Sequence, residues 1–179
     1  MTMTLLSTNP DATDISSYVI TSGIDSTYKL YIFKLININA ATDGAIFTFD
    51  FSIDGGDNYD QTTTSLYFVA SHTEADDVTG IDKTTSYSQH TGAAAQNITG
   101  SMDNAADASS SGTVWLFDPS NTAFMKQYNS TMNDLGNSDY ANTVYVDGKI
   151  HTASAVNAVK FAPSSGNFDG VIKMYGVGA

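Results

Sequence analysis

Ala45-Ile46-Phe47-Thr48-Phe49-Asp50-Phe51-Ser52-Ile53-Asp54 sets Ala45, Phe47, Phe49, Phe51 and Ile53 against Ile46, Thr48, Asp50 and Ser52 in strict alternation. Successive side chains of a strand point to opposite faces, so this period of two predicts a half-buried strand with its aromatic side on a core. Working outward, Tyr28 to Ile38 is apolar on both parities, with Leu30, Ile32 and Ile36 against Tyr31, Phe33 and Leu35. That pattern predicts a central strand covered on both faces, or one whose surroundings change along its length. Further strands are predicted at Tyr18 to Thr21, Thr62 to Ser71, Thr85 to Gln89, Gly112 to Asp118, Ala123 to Met132, Thr143 to Val146, Val156 to Phe161 and Val171 to Val177. No window carries an apolar period of 3.6. Good helix formers are scarce, while Thr, Tyr, Phe, Ile and Val are common. The chain is expected to be all-β.

The turn signals agree. Asp43-Gly44 separates two apolar runs, Asp54-Gly55-Gly56 closes another, and Ser165-Gly166-Asn167 opens the last strand. About ten short strands within 179 residues suit one domain, 1–179, built as an antiparallel, jelly-roll-like β-sandwich. Thr91 to Ser111 is poor in large apolar residues and rich in Ala, Ser, Asn and Gly, so the segment 91–111 is expected to be a long flexible loop.

Charged residues make up only 15% of the chain, and the formal net charge is -12. There is no arginine, Glu74 is the one glutamate, and the seven lysines are scattered from Lys29 to Lys173, so the charge comes from aspartate. Binding nucleic acid or an anionic membrane needs clustered cations to displace counterions, and neither partner is expected. With no cysteine there is no disulfide framework, thiolate metal site or thiol nucleophile. Met1 to Pro10 lacks the basic and apolar regions of a secretion signal, and no run approaches a membrane span, so a soluble protein made without a leader is expected. The sequons at Asn97 and Asn129 are what a chain rich in Asn, Ser and Thr produces by chance.

Ser52-Ile53-Asp54-Gly55-Gly56-Asp57-Asn58-Tyr59 resembles the Asp-box hairpin of sialidases and other β proteins. Its aspartate heads a tight turn and accepts backbone N–H bonds, a glycine takes positive φ, and the aromatic covers the hairpin base. The resemblance implies a structural staple. The competing reading is a calcium loop using Asp54, Asp57 and Asp60, although the EF-hand spacing is absent. His72, Glu74 and Asp76 would share one face if their strand continued, a spacing that could ligate a metal, but zinc ordinarily takes a second His or Cys. His90 and His151 sit in no motif that names a reaction. Trp115 reads as a core or sheet-face aromatic, able to stack on a sugar if exposed. No catalytic, cofactor-binding or metal residue is assigned, and no cofactor is expected.

The blocks Thr21-Ser22-Gly23-Ile24-Asp25-Ser26-Thr27-Tyr28, Phe49-Asp50-Phe51-Ser52-Ile53-Asp54-Gly55-Gly56, Leu116-Phe117-Asp118-Pro119-Ser120 and Ile172-Lys173-Met174-Tyr175-Gly176-Val177 resemble a family of small virion proteins of tailed, largely aquatic bacteriophages. The similarity runs from about Tyr18 to Val177. It implies a non-enzymatic structural role in the virion after assembly in the host cytoplasm, and it assigns no functional residue. Within the particle, a capsid decoration (cement) protein bound to the major capsid protein is the first expectation. The alternative is a tail-associated or fibre-tip module binding a host receptor or glycan. A dimer or trimer is expected, because Tyr31, Tyr67, Tyr128, Tyr145 and Tyr175 are placed partly on outward parities.

Overall fold

The computed structural model describes residues 2–9 and 12–178. Fourteen strands occur among them: β1 (Thr2–Thr8), β2 (Ala12–Ile15), β3 (Tyr18–Ile20), β4 (Leu30–Ala40), β5 (Phe47–Ser52), β6 (Thr63–Thr73), β7 (Thr79–Lys83), β8 (His90–Gly92), β9 (Gln96–Asn97), β10 (Ser110–Phe117), β11 (Lys126–Gly136), β12 (Tyr140–Ile150), β13 (Ala158–Pro163) and β14 (Phe168–Gly178). One 3-10 turn, Thr85–Tyr87, accompanies them, and no described helix is long and apolar enough to cross a membrane. The protein is an all-β antiparallel sandwich. Its strands are shared unequally: ten form a large sheet along the path β1-β14-β4-β10-β11-β12-β6-β7, with β2 beside β14 and β8 beside β6, and four form a small sheet ordered β3-β13-β5-β9.

The core lies between the sheets. From the large sheet come Tyr31, Phe33, Leu35, Val114, Leu116, Tyr128, Met132, Val144, Val146, Ile172 and Met174; from the small one come Phe47, Phe49, Phe51, Val159 and Phe161. Phe33 meets Phe161 at 5.5 Å between ring centroids, and Phe49 meets Tyr128 edge-on at 5.2 Å. Such aromatic pairs contribute roughly 0.5–1.5 kcal/mol beyond the area they bury. The alternation of Phe47, Phe49 and Phe51 is as read from the sequence, but β5 is buried on both faces rather than one. On its second face Ser52 is bonded to Asp54 and Gly56 of the chain running on from β5, Thr48 Oγ1 donates to Ala162 O at 2.8 Å, and the Tyr59 ring lies 4.4 Å from Nζ of Lys160, which stands opposite Asp50.

Several expectations are corrected. Tyr31, Tyr67 and Tyr128 point into the core, because they share parity with Phe33, Val69 and Met132 on their strands. Two of the three hydroxyls have shown partners: Tyr31 Oη donates to Asp25 O at 3.0 Å and Tyr128 Oη to Gln96 Oε1 at 3.3 Å. Tyr145 is exposed, and Tyr175 is partly so. The strand expected over Thr85 to Gln89 is a 3-10 turn lying along the edge of β6, between β7 and β8. Ser88 Oγ accepts from Tyr67 N and donates to Thr84 O, while Ser65 Oγ accepts from Gln89 N. Serine side chains there replace part of the ladder, a competition that propensity alone does not show. β1, β2, β7, β8 and β9 were not anticipated.

The segment 91–111 is also not the long loop expected. It carries the end of β8, all of β9 and the start of β10, and it buries Gln96, Ile98, Thr99, Met102 and Ala108. Ile98 N donates to Phe47 O and Met102 N to Ala45 O, both at 2.9 Å, while Phe47 N donates to Thr99 Oγ1. On its other side Asp103 N reaches Leu135 O, and Met102 bridges Gly136 of β11. The segment closes one end of the sandwich by joining the two sheets.

Candidate functional site

The most chemically distinctive surface is the outward face of the large sheet. Strand register aligns its side chains in rungs. One rung runs Leu5, Tyr175, Ile32, Trp115, Asn129, Asp147, Leu66; the next runs Met3, Val177, Leu30, Phe117, Gln127, Lys149, Thr64. Because one-to-one pairing holds through the β10-β11-β12 meander, period-two alternation alone brings Trp115 and Phe117 beside Gln127, Asn129, Asp147 and Lys149. Two hairpins build this part of the site.

Three adjoining depressions follow these rungs. The first, about 460 Å3, is lined by Leu30, Phe68, Trp115, Phe117 and Tyr145 above Asn129 and Asp147. The second, about 490 Å3, shares Phe117, Asn129 and Asp147 and continues past Leu66 and Gln127 to Lys149. A third of about 280 Å3 passes from Phe117 to the exposed Phe124 and Met125 of the β10-β11 loop. Phe117 lines all three. Tyr145 is held flat against Phe68, with ring centroids 4.9 Å apart and planes 14° from parallel. Buried Lys126 anchors the loop beneath, donating from Nζ to Phe124 O at 2.8 Å and Ala153 O at 3.2 Å.

Polar groups of the trough are uncommitted. Asn39, Asn58, Asn121, Asn157 and Asn167 use their amides to brace turns and loops. Gln127, Asn129, Asp147 and Lys149 engage no partner in the side-chain hydrogen bonds and ion pairs of the described residues, where the two ion pairs are Lys29–Asp118 and His72–Asp76. The arrangement can stack flat apolar surface on aromatic rings while offering donors and acceptors at its floor.

The residues singled out from the sequence lie elsewhere, apart from Trp115, which is a sheet-face aromatic. Asp54 is a turn staple: Oδ1 accepts from Ser52 Oγ at 2.6 Å and Asn58 N at 3.0 Å, and Oδ2 accepts from Asn58 Nδ2 at 2.7 Å. Gly55 and Gly56 take positive φ, as this turn requires. The hydrogen bonds from Ser52 and Asn58 hold the Asp54 carboxyl down at about 2. Asp60 accepts from Gln61 instead of converging on Asp54. The chain reverses after Thr73, so His72 meets Asp76 at 3.0 Å and Glu74 is left out. His90 is exposed on β8, and His151 Nε2 bonds Thr64 Oγ1 at 2.7 Å. No group of three or more His, Asp or Glu side chains gathers for a metal among the described residues.

Two carboxylates missed from the sequence are buried. Asp134, 4% exposed on the inner face of β11, accepts from Gly100 N at 2.6 Å through Oδ2, while Oδ1 has no partner among the described residues. Burial pushes its carboxyl up to about 6. Asp50 is likewise raised to about 6 by burial, with the Phe51 N–H and the Lys160 ammonium pulling the other way. Both sit at parities the alternation assigns to faces, but which faces are covered depends on the second sheet and the 53–62 segment.

No protein-family model matches the chain, and no curated protein matches it.

Proposed function

We propose that the protein is a non-enzymatic structural component of a tailed-phage particle, a capsid decoration module that seats on the major capsid protein through the outward face of its large sheet. The observation that carries the docking face is the band Trp115, Phe117, Tyr145, Leu66 and Phe124 on a chain of net charge -12. Exposed, contiguous aromatic surface is characteristic of interfaces, and aromatics are the residues that most often dominate their energetics. The phage placement rests on the resemblance of the four sequence blocks. With no arginine this chain supplies no guanidinium for bidentate ion pairs, so unless the partner's arginines engage its carboxylates, its contribution to docking is apolar burial and neutral hydrogen bonding.

The test is to add purified protein to capsids lacking it at about 50 mM and about 1 M NaCl, a range over which the screening length falls to roughly 3 Å. Binding is expected to persist at high salt, because screening weakens charge pairs and leaves apolar burial intact. Phe117→Lys is expected to abolish most binding with little change in melting temperature, since Phe117 is already 36% exposed. Loss of most wild-type binding at 1 M NaCl would point instead to the acidic surface.

A second reading, a tail-associated module that holds a host glycan, is favoured by the unpartnered Gln127, Asn129, Asp147 and Lys149 beside Trp115. Immunogold labelling separates the two: many copies over the head, or a few at the tail.

A further inference from the structure

The large sheet ends in two unlike edges. β7, at one side, is five residues long, contains Gly80, Asp82 and Lys83, and follows a turn bearing Glu74, Asp76 and Asp77. Charged side chains and brevity are among the devices by which natural sheets block further pairing. β1, at the other side, has seven residues, Thr2-Met3-Thr4-Leu5-Leu6-Ser7-Thr8, with no charge, glycine or proline. Met3 is 51% exposed and Leu5 50%, and Thr2 and Thr4 are exposed as well, so the strand's first four residues are open on both faces. In an antiparallel ladder alternate residues turn their N–H and C=O away from the neighbour, so β1 presents a row of backbone groups that β14 leaves free.

We propose that β1 is a self-pairing edge, through which two copies of this chain join antiparallel about a two-fold axis at Thr4. That axis fixes the contacts. Pairing at Thr4 sets Met3 against the partner's Leu5 and Leu5 against the partner's Met3. Both lie on the outward face, because Met3 pairs Val177 and Leu5 pairs Tyr175. The bulge between Leu5 and Ser7 ends the regular stretch at Leu5, so the self-paired ladder about Thr4 runs from Met3 to Leu5 on each copy. Charge selects the same place. Two bodies of net charge -12 repel, and Thr2 to Asn9 is free of ionisable side chains. The contact is isologous and closes on itself, giving a dimer rather than a filament. Its two large sheets become one, with both aromatic troughs on the same side. The proposal is independent of what those troughs dock on.

The chain lacks cysteine, so a single introduced thiol reports its own neighbourhood. In the proposed dimer Thr4 directly opposes the partner's Thr4, at the roughly 4.5–5.5 Å between Cα atoms that a disulfide spans. Thr4→Cys is expected to cross-link to near completion under mild oxidation, while Ile81→Cys on β7 stays monomeric. Wild type is expected to sediment as a dimer at micromolar concentration, and the Met3→Lys/Leu5→Lys double variant to raise the dissociation constant by at least about tenfold. The variants' melting curves, read in parallel, separate loss of pairing from loss of folding. A wild-type monomer at about 100 µM overturns the proposal. So does a dimer that survives both lysines and is cross-linked through Ile81→Cys, or a strand of another protein found on β1.

Discussion

Asp54 shows how much one side chain can organise when its acceptors are all used. Three donors from Ser52 and Asn58 converge on it, and charge-assisted bonds of this kind are the stronger class. Asp54→Ala should therefore lower the melting temperature at neutral pH, and a chelator should leave wild type unchanged because its oxygens are already taken. The pH dependence has a definite sign. With the carboxyl held below its ordinary 3.8, at about 2, the stabilisation is complete above 3.8 and disappears as pH falls through about 2. Calorimetry of the two proteins should accordingly show their difference at pH 7 and see it shrink in strong acid. This residue was legible from the sequence, because the turn's chemistry is local. Asp134 was not, since its backbone partner Gly100 lies 34 positions away in the chain and its burial depends on tertiary packing.

Among the elements, the 91–111 segment has the most to lose from a single truncation. Ile98 is fully buried where this segment ties the start of β5 to the end of β11. Ile98→Ala is expected to cost about 2–5 kcal/mol, the range for emptying a packed aliphatic site, and chemical denaturation measures it directly. A flexible loop would lose almost nothing. The segment looked like a loop because its one large aliphatic residue is surrounded by Ala, Ser, Asn and Gly, and its order comes from backbone bonds to β5 and β11. Apolar patterning revealed β3, β4, β5, β6, β10, β11, β12, β13 and β14, each of which buries at least part of one face. It missed β1, β2 and β7, which pair at the margins and bury little on either face, and the short β8 and β9. The trough was half legible: Trp115 stood out alone, but its alignment with Asn129 and Asp147 follows from register, which one strand's sequence does not contain.

For the whole molecule, the two buried carboxylates set an unusual direction of pH response. Asp50 and Asp134 titrate near 6 in the fold and near 3.8 when unfolded, so between those values the native state holds more protons and stability rises as pH falls. Each costs the fold on the order of 3 kcal/mol at pH 7, and that cost is removed toward pH 4. Relief of repulsion within a body of net charge -12 acts in the same sense. Urea midpoints should be higher at about pH 5 than at about pH 7.5, and the Asp50→Asn/Asp134→Asn double variant should flatten the difference.

The molecule is also two-sided in a way that limits what it can build. Tyr59 covers Lys160 on the outer side of β13 and Asp50 and Ser52 beside it are buried, so the small sheet's outer side is bare chiefly at Val19 of β3, whereas the large sheet exposes Ile36, Leu66, Phe117 and Tyr145 across its breadth. A tile with adhesive on one side and a finished back can veneer a shell, but it gives a second course nothing to grip. On the proposed capsid role, coverage should stop at one tile's thickness however much protein is supplied.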